Sequence, residues 1–176
     1  VAGWTPAVAT PTPRQESGIA IGAGINAQSN GWDGLWSCHP LVSVGDGDTV
    51  RITDKAGNKL TIRLACIDAP ETSQGTSGKW STETLKGLIH GKPISLKPQV
   101  KDDMEAVAEI YQGSTNVNLQ MVQLGAAFAY RKYLKQCDQD AYLTAETAAM
   151  NRKLGVWGPY KVDLKPWDTA VPAEAN

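Results

Sequence analysis

From Leu60 to Cys66 every second residue is apolar: Leu60, Ile62, Leu64 and Cys66 share one face. Strict alternation of this kind is a half-buried strand, and Ala69-Pro70 ends it. Around it the period changes in a fixed order. Leu41 to Ile52 is rich in β-formers, broken by Gly45-Asp46-Gly47-Asp48, and Asp54 to Asn58 reads as a hairpin turn. Trp80 to His90 has a helical apolar stripe of Trp80, Leu85, Leu88 and Ile89, stopped by Gly91. Ile94–Val100 and Val107–Tyr111 predict further strands. Asn116–Leu124 predicts a helix with Asn caps and a Gly125 end, and Tyr142–Leu154 a helix started by Asp140 and ended by Gly155. Strands, helix, strands, helices is an α+β plan and not an alternating βαβ one.

Residues 1 to about 40 differ from this. Val1–Pro13 is rich in Ala, Pro and Thr, and Ser17–Gly34 in Gly, Asn and Ser, so the segment cannot build a core alone. It reads as an irregular extension, partly disordered or pinned to the domain by Trp4, Trp32 and Trp36. Gly22-Ala-Gly24-Ile-Asn-Ala27 imitates a dinucleotide fingerprint, but no strand precedes it and no helix follows. The folded domain is expected over 41–160 and a tail over 161–176. The chain starts without Met and without a basic-then-apolar leader, as one trimmed by signal-peptide removal or at a cloning boundary would. No apolar run is long enough to span a bilayer.

Lys and Arg total 17 against 18 acidic residues, so a polyanion could be gripped only by a local site. The three cysteines, Cys38, Cys66 and Cys137, lack the CxxC spacing of a zinc site, and only His39 and His90 could assist. Cys66, on the apolar face of its strand, is expected to be an inert core thiol. Cys38 and Cys137 flank the domain in loop-like segments; a disulfide between them is the working hypothesis, and it requires an oxidising compartment.

The informative cluster is acidic. Asp46 and Asp48 are two apart, with glycines that permit close ligand approach. Asp68 and Glu71 stand at a strand end in Arg63-Leu-Ala-Cys-Ile-Asp68-Ala69-Pro70-Glu71. Brought together, they offer several carboxylate oxygens with no imidazole or thiolate, which suits Ca²⁺ or Mg²⁺. Singly, each is ordinary turn chemistry. Tyr130 and Tyr133 around Arg131 and Lys132 make an aromatic-basic patch of the type that stacks bases and holds phosphates, or else a solvated loop. Trp80 and Trp157 read as core residues.

Asp46-Gly-Asp48-Thr49 followed by Arg63-Leu-x-x-Ile-Asp68-Ala-Pro70-Glu71 resembles the staphylococcal nuclease (thermonuclease) family. The likeness continues through Ala108-Glu-Ile-Tyr111, Val117-Asn118, Gly125-Ala-Ala127, Glu146 and Gly155-Val-Trp157, and Pro166-Trp167-Asp168 is similar to a tail of bacterial members. It implies an OB-type five-stranded Greek-key β-barrel with three helices. It implies Ca²⁺-dependent hydrolysis of phosphodiesters in single- or double-stranded DNA and RNA, by a secreted or envelope protein acting as a monomer. Asp48, Asp68 and the Ala69 carbonyl would then ligate the metal, with Asp46 supporting them. Glu71 would position or deprotonate water, and Arg63 would bind the phosphate. Thr49, Tyr130, Arg131 and Tyr133 would lie with the substrate.

One departure stands out. The family has a second active-site Arg in a loop reading roughly Asp-x-Tyr-Gly-Arg, and ungapped alignment puts Glu105 there, within Lys101-Asp-Asp-Met-Glu105-Ala106. That exchange removes a donor and adds negative charge beside phosphate, so reduced or lost activity is expected. The alternative is a catalytically inactive module on the same barrel that binds nucleic acid or another ligand. Retention of Asp48, Thr49, Arg63, Asp68 and Glu71 favours the enzyme. Residue parity puts Arg63 and Asp68 on opposite faces of a continuous strand, so their meeting is implied by the resemblance alone.

Overall fold

The computed structural model describes residues 41–53, 57–101, 105–163 and 165. Its strands and helices are, in chain order, β1 (Leu41–Val44), β2 (Thr49–Thr53), β3 (Lys59–Leu64), β4 (Ile67–Asp68), α1 (Thr76–Ile89), β5 (Ser95–Lys101), β6 (Glu105–Gln112), β7 (Thr115–Asn116), α2 (Val117–Gln123), β8 (Phe128–Ala129) and α3 (Gln139–Asn151). The expectations for residues 1–40, including Cys38, His39 and the three early tryptophans, lie outside the described residues, as do those for Asp54, Asp102–Met104 and Pro166–Asp168.

The alternating segment is the middle of a mixed sheet ordered β1-β2-β3-β6-β5, with β7 added to β6. β3 runs antiparallel to β2 and parallel to β6, so Thr49 lies opposite Arg63 and Arg63 opposite Val107. β4 and β8 form a separate pair, with Asp68 opposite Phe128. The α+β plan and its OB-like strands are as expected; the closed barrel is not. Among the described residues no pairing joins β1 to β5. The edges explain this: β1 is four residues long with a register break after Leu41, and β5 bulges between Pro98 and Val100. Pro98 has no N–H for a further partner.

The core lies between this sheet and the helices. Val50, Ile52, Ile62 and Leu64 meet Leu85 and Ile89 of α1 and Met121 and Val122 of α2, all fully buried. Glu109 of β6 is buried too, but accepts from the Lys97 ammonium at 2.9 Å, the Asn116 amide at 2.7 Å and the Tyr142 hydroxyl at 2.9 Å. Such a satisfied carboxylate joins β5, β6, β7 and α3 without an orphaned charge.

Two helix starts need correction. α1 begins four residues before Trp80: its first turn buries Ser77 and Gly78, Gly78 against the Glu71 backbone, and carries no apolar stripe. α3 is capped by Asp138, whose carboxylate accepts from the Ala141 N–H at 3.1 Å; Asp140 sits inside the first turn. α2 is capped by Asn116 as expected. Among the described residues no helix is long and apolar enough to cross a membrane.

Candidate active site

The Gly45–Asp48 loop folds tightly before β2. The Gly45 N–H donates to the Thr49 carbonyl at 2.8 Å, and the Asp46 carboxylate accepts from the Asp48 N–H at 3.2 Å. Gly47 must be glycine: a Cβ there would stand 1.8 Å from Ser81 Oγ and 2.7 Å from Ala69 Cβ. The loop is thus pressed between α1 and the Ala69 turn. Ser81 Oγ donates to the Ala126 carbonyl at 2.7 Å, which fixes that face of α1.

The second acidic stretch arrives by a turn. After Leu64 the chain leaves the strand, and Cys66 adopts a left-handed φ of 65°. This turn resets the alternation, so Arg63 and Asp68, on opposite faces by parity, reach the same place. Asn118, fully buried on α2, holds the turn: its amide donates to the carbonyls of Ala65 at 2.9 Å and Ala108 at 3.1 Å and accepts from the Ile110 N–H at 2.9 Å. Tyr130 N–H donates to the Cys66 carbonyl at 2.9 Å.

Asp48 and Asp68 meet on one guanidinium. Arg63 Nη2 lies 2.9 Å from Asp68 Oδ1 and 3.4 Å from Asp48 Oδ2. Asp48 Oδ2 also accepts from the Ala69 N–H at 3.1 Å, and Oδ1 from Thr49 Oγ1 at 3.1 Å. The two aspartates are 3% and 4% exposed, whereas 43% of the Arg63 side chain is open to solvent. Burial pushes the Asp48 carboxyl well up; Arg63 draws it back, and the charges on Asp46 and Asp68 oppose that pull. Burial likewise raises Asp68, with Arg63 the largest opposing influence. The neighbouring carboxylates, Asp48 foremost, raise Arg63 further.

Glu71 follows at the mouth of the cluster. Its N–H donates to the Gln74 side chain and its carbonyl accepts from the Gln74 N–H, both at 2.8 Å. Gly78 of α1 abuts this backbone so closely that a Cβ would stand 1.8 Å from the Glu71 carbonyl oxygen. Burial and the charge of Asp46 push the Glu71 carboxyl up. Asp46, Asp48, Asp68 and Glu71 thus face a single Arg63, and the cluster is acidic. Among the described residues no three Asp, Glu, His or Cys side chains converge to cage an ion by themselves. Asp48, Asp68 and the Ala69 carbonyl offer oxygen donors only, which fits a hard cation completed by water or phosphate oxygens.

The remaining expected residues make other contacts. Tyr130 and Tyr133 meet edge to face at 5.2 Å, and Lys132 Nζ lies 5.2 Å from the Tyr133 ring centre. Arg131 pairs with Glu146 and donates to the Ala129 carbonyl at 2.7 Å. Glu146 also accepts from the Ala129 N–H at 2.9 Å, so this pair ties β8, the partner of Asp68's strand, to α3. Glu105 opens β6 opposite Thr61 instead of lying in a loop. Cys137 is bonded to Cys66, with Cα atoms 6.4 Å apart, and not to Cys38. Cys66 is buried in the core as expected, but as half of a disulfide and not as a free thiol. The roles of Asn118, Glu146, Gly78 and Ser81 escaped the sequence reading, since each acts through backbone contacts that no periodicity records.

Residues 61–159 match the model of the family described as staphylococcal nuclease homologue. An uncharacterized endonuclease of Haemophilus influenzae is 36% identical over 118 residues, 66% of this chain and 64% of that protein. An uncharacterized endonuclease of Escherichia coli O157:H7 is 34% identical over 130 residues, covering 72% of this chain and 80% of that one. A micrococcal nuclease of Shigella flexneri is 33% identical over 139 residues, covering 72% and 76%. The matched span contains Arg63, Asp68 and Glu71 with the turn and helices that place them, and on these grounds the chain belongs to the staphylococcal nuclease homologue family.

Proposed function

We propose that this protein is a Ca²⁺-dependent phosphodiesterase, an endonuclease acting on DNA and RNA, slowed by Glu105. The observation that carries the reading is the meeting of two buried carboxylates, from separate acidic stretches, on one half-open guanidinium. Asp48, Asp68 and the Ala69 carbonyl would hold the ion, which when bound neutralises phosphate oxygens. Asp46 secures the loop through the Asp48 N–H, and Thr49 orients the Asp48 carboxylate. Glu71 takes the proton of the attacking water; a carboxyl shifted upward is a better match to neutral pH than an ordinary one. Arg63 presents donors to the phosphate and stabilises the charge that develops on it. Tyr130, Arg131 and Tyr133 flank the substrate on the β8 side. The disulfide supports a secreted or envelope location, because such bonds persist in oxidising compartments. We take the acting unit to be a monomer.

The test is hydrolysis of single-stranded DNA by the full chain with Ca²⁺ or with chelator, alongside thermal melts. Slow cleavage that needs Ca²⁺, and a melting temperature that Ca²⁺ raises in the wild type but not in Asp68→Asn, are expected. Chelator-insensitive cleavage would overturn the mechanism. Strand binding without cleavage at any Ca²⁺ level would favour the non-catalytic module, the reading to which Glu105 points.

A further inference from the structure

Away from the acidic cluster, a second concavity opens between α1, the end of α3 and the Gly155–Trp157 turn. Its volume is about 570 Å³, within the roughly 300–1,000 Å³ of small-ligand sites. Trp80, Leu124, Pro159 and Tyr160 give it an apolar wall, and Arg152 and Lys153 a cationic lip; no carboxylate and no residue of the acidic site lines it among the described residues. Trp80 and Tyr160 stack with ring centres 4.6 Å apart and planes 13° from parallel.

The two cations form no ion pair among the described residues. Lys153 has a φ of 53°, at the position after a helix where glycine is usual. The helix dipole welcomes positive charge at this end. It does not account for a lysine where glycine would be unstrained, nor for the aromatic pair in the same groove. With a net charge of −1 the chain has no bulk attraction for polyanions, so an unpaired local pair of cations decides what can settle here.

We propose that this groove is an exosite for single-stranded nucleic acid, with phosphates on Arg152 and Lys153 and a base against the aromatic pair. The proposal rests on the nuclease reading for the class of its ligand, while occupying different residues. Base stacking plus backbone charge is the general mode of single-strand binding, and a second contact strengthens the hold only on strands long enough to reach both sites.

The experiment is fluorescence anisotropy of a labelled oligothymidylate with the full chain in chelator, across a salt series. In Arg152→Ala/Lys153→Ala, affinity should fall roughly tenfold and the salt slope by about 1.4, two single-strand phosphates' worth. Lys153→Gly should lose affinity while its melting temperature holds or rises, which separates binding from folding. Ca²⁺-dependent hydrolysis of a dinucleotide should be unchanged in all variants. If wild type fails to bind, if affinity and slope are unchanged in the variants, or if dinucleotide hydrolysis falls in step, the exosite is wrong. Failure of the nuclease reading shows differently, as absent hydrolysis with the anisotropy result intact.

Discussion

Asp48 divides its two oxygens among three donors, Thr49, Ala69 and Arg63, and still sits above the ordinary carboxylate range because burial outweighs them. A carboxyl raised in this way holds its proton better folded than unfolded. The stability it adds is fully present below the unfolded Asp value and is lost as pH rises through the higher folded value. The ion-free protein should therefore weaken between acidic and neutral pH. Asp48→Asn keeps one of the two acceptor oxygens and drops the charge, so it should flatten that slope while abolishing hydrolysis. Urea melts in chelator across pH check this, and an unchanged slope would show that Asp48 is not the source. Glu105 carries a carboxylate where a donor to phosphate would be of use. Its backbone opens β6 two residue pairs ahead of the Arg63–Val107 pair, in the same sheet. Glu105→Arg should raise kcat by about 10²–10³, the usual worth of a preorganised donor. No gain would mean that the aligned position is not the family's arginine position.

The strands around the site were legible because alternation at Leu60, Ile62 and Leu64 follows directly from burial of one face. The turn that makes the site was not. Nothing in periodicity marks Cys66 as left-handed, and that one dihedral decides both the meeting of Arg63 with Asp68 and the partner of Cys137. The start of α1 was hidden for a related reason. Gly78 is buried against the Glu71 backbone and Ser81 against Gly47 and the Ala126 carbonyl, which leaves no apolar signature. Asp48 and Asp68 meet on Arg63, a meeting that residue parity did not predict and only family likeness implied. α1 therefore acts as the wall against which both acidic loops are set. Gly78→Ala places a Cβ on the Glu71 carbonyl and must shift one of them. We expect a loss of about 1–3 kcal/mol in stability, with kcat falling more than KM rises because Glu71 is displaced. Chemical denaturation and steady-state kinetics together test this; a fall in stability with kcat intact would free α1 of any role at the site.

The main sheet and the β4–β8 pair share no ladder among the described residues, yet Asp48, just before β2 of one, and Asp68, in β4 of the other, meet on Arg63. Asn118 joins them from inside, reaching Ala65 on the approach to β4 and Ala108 and Ile110 on β6. The Arg131–Glu146 pair braces β8 on α3. The covalent link is Cys66–Cys137, two residues before Asp68 and one residue before the cap of α3. Its ends are 71 residues apart in sequence, a loop whose closure in the unfolded chain corresponds to about 4 kcal/mol in the chain-entropy account. For a domain of this size that is on the order of 10 °C in Tm. A dithiol reductant should lower the wild-type melting temperature by that amount and leave Cys137→Ser, already reduced in stability, where it is. Hydrogen bonds to Ala65 and Cys66 survive reduction, so activity at low temperature should persist and fail early on warming. A wild-type Tm indifferent to reductant would mean that hydrogen bonding alone holds the two sheets in register, and that the oxidising location loses its structural support.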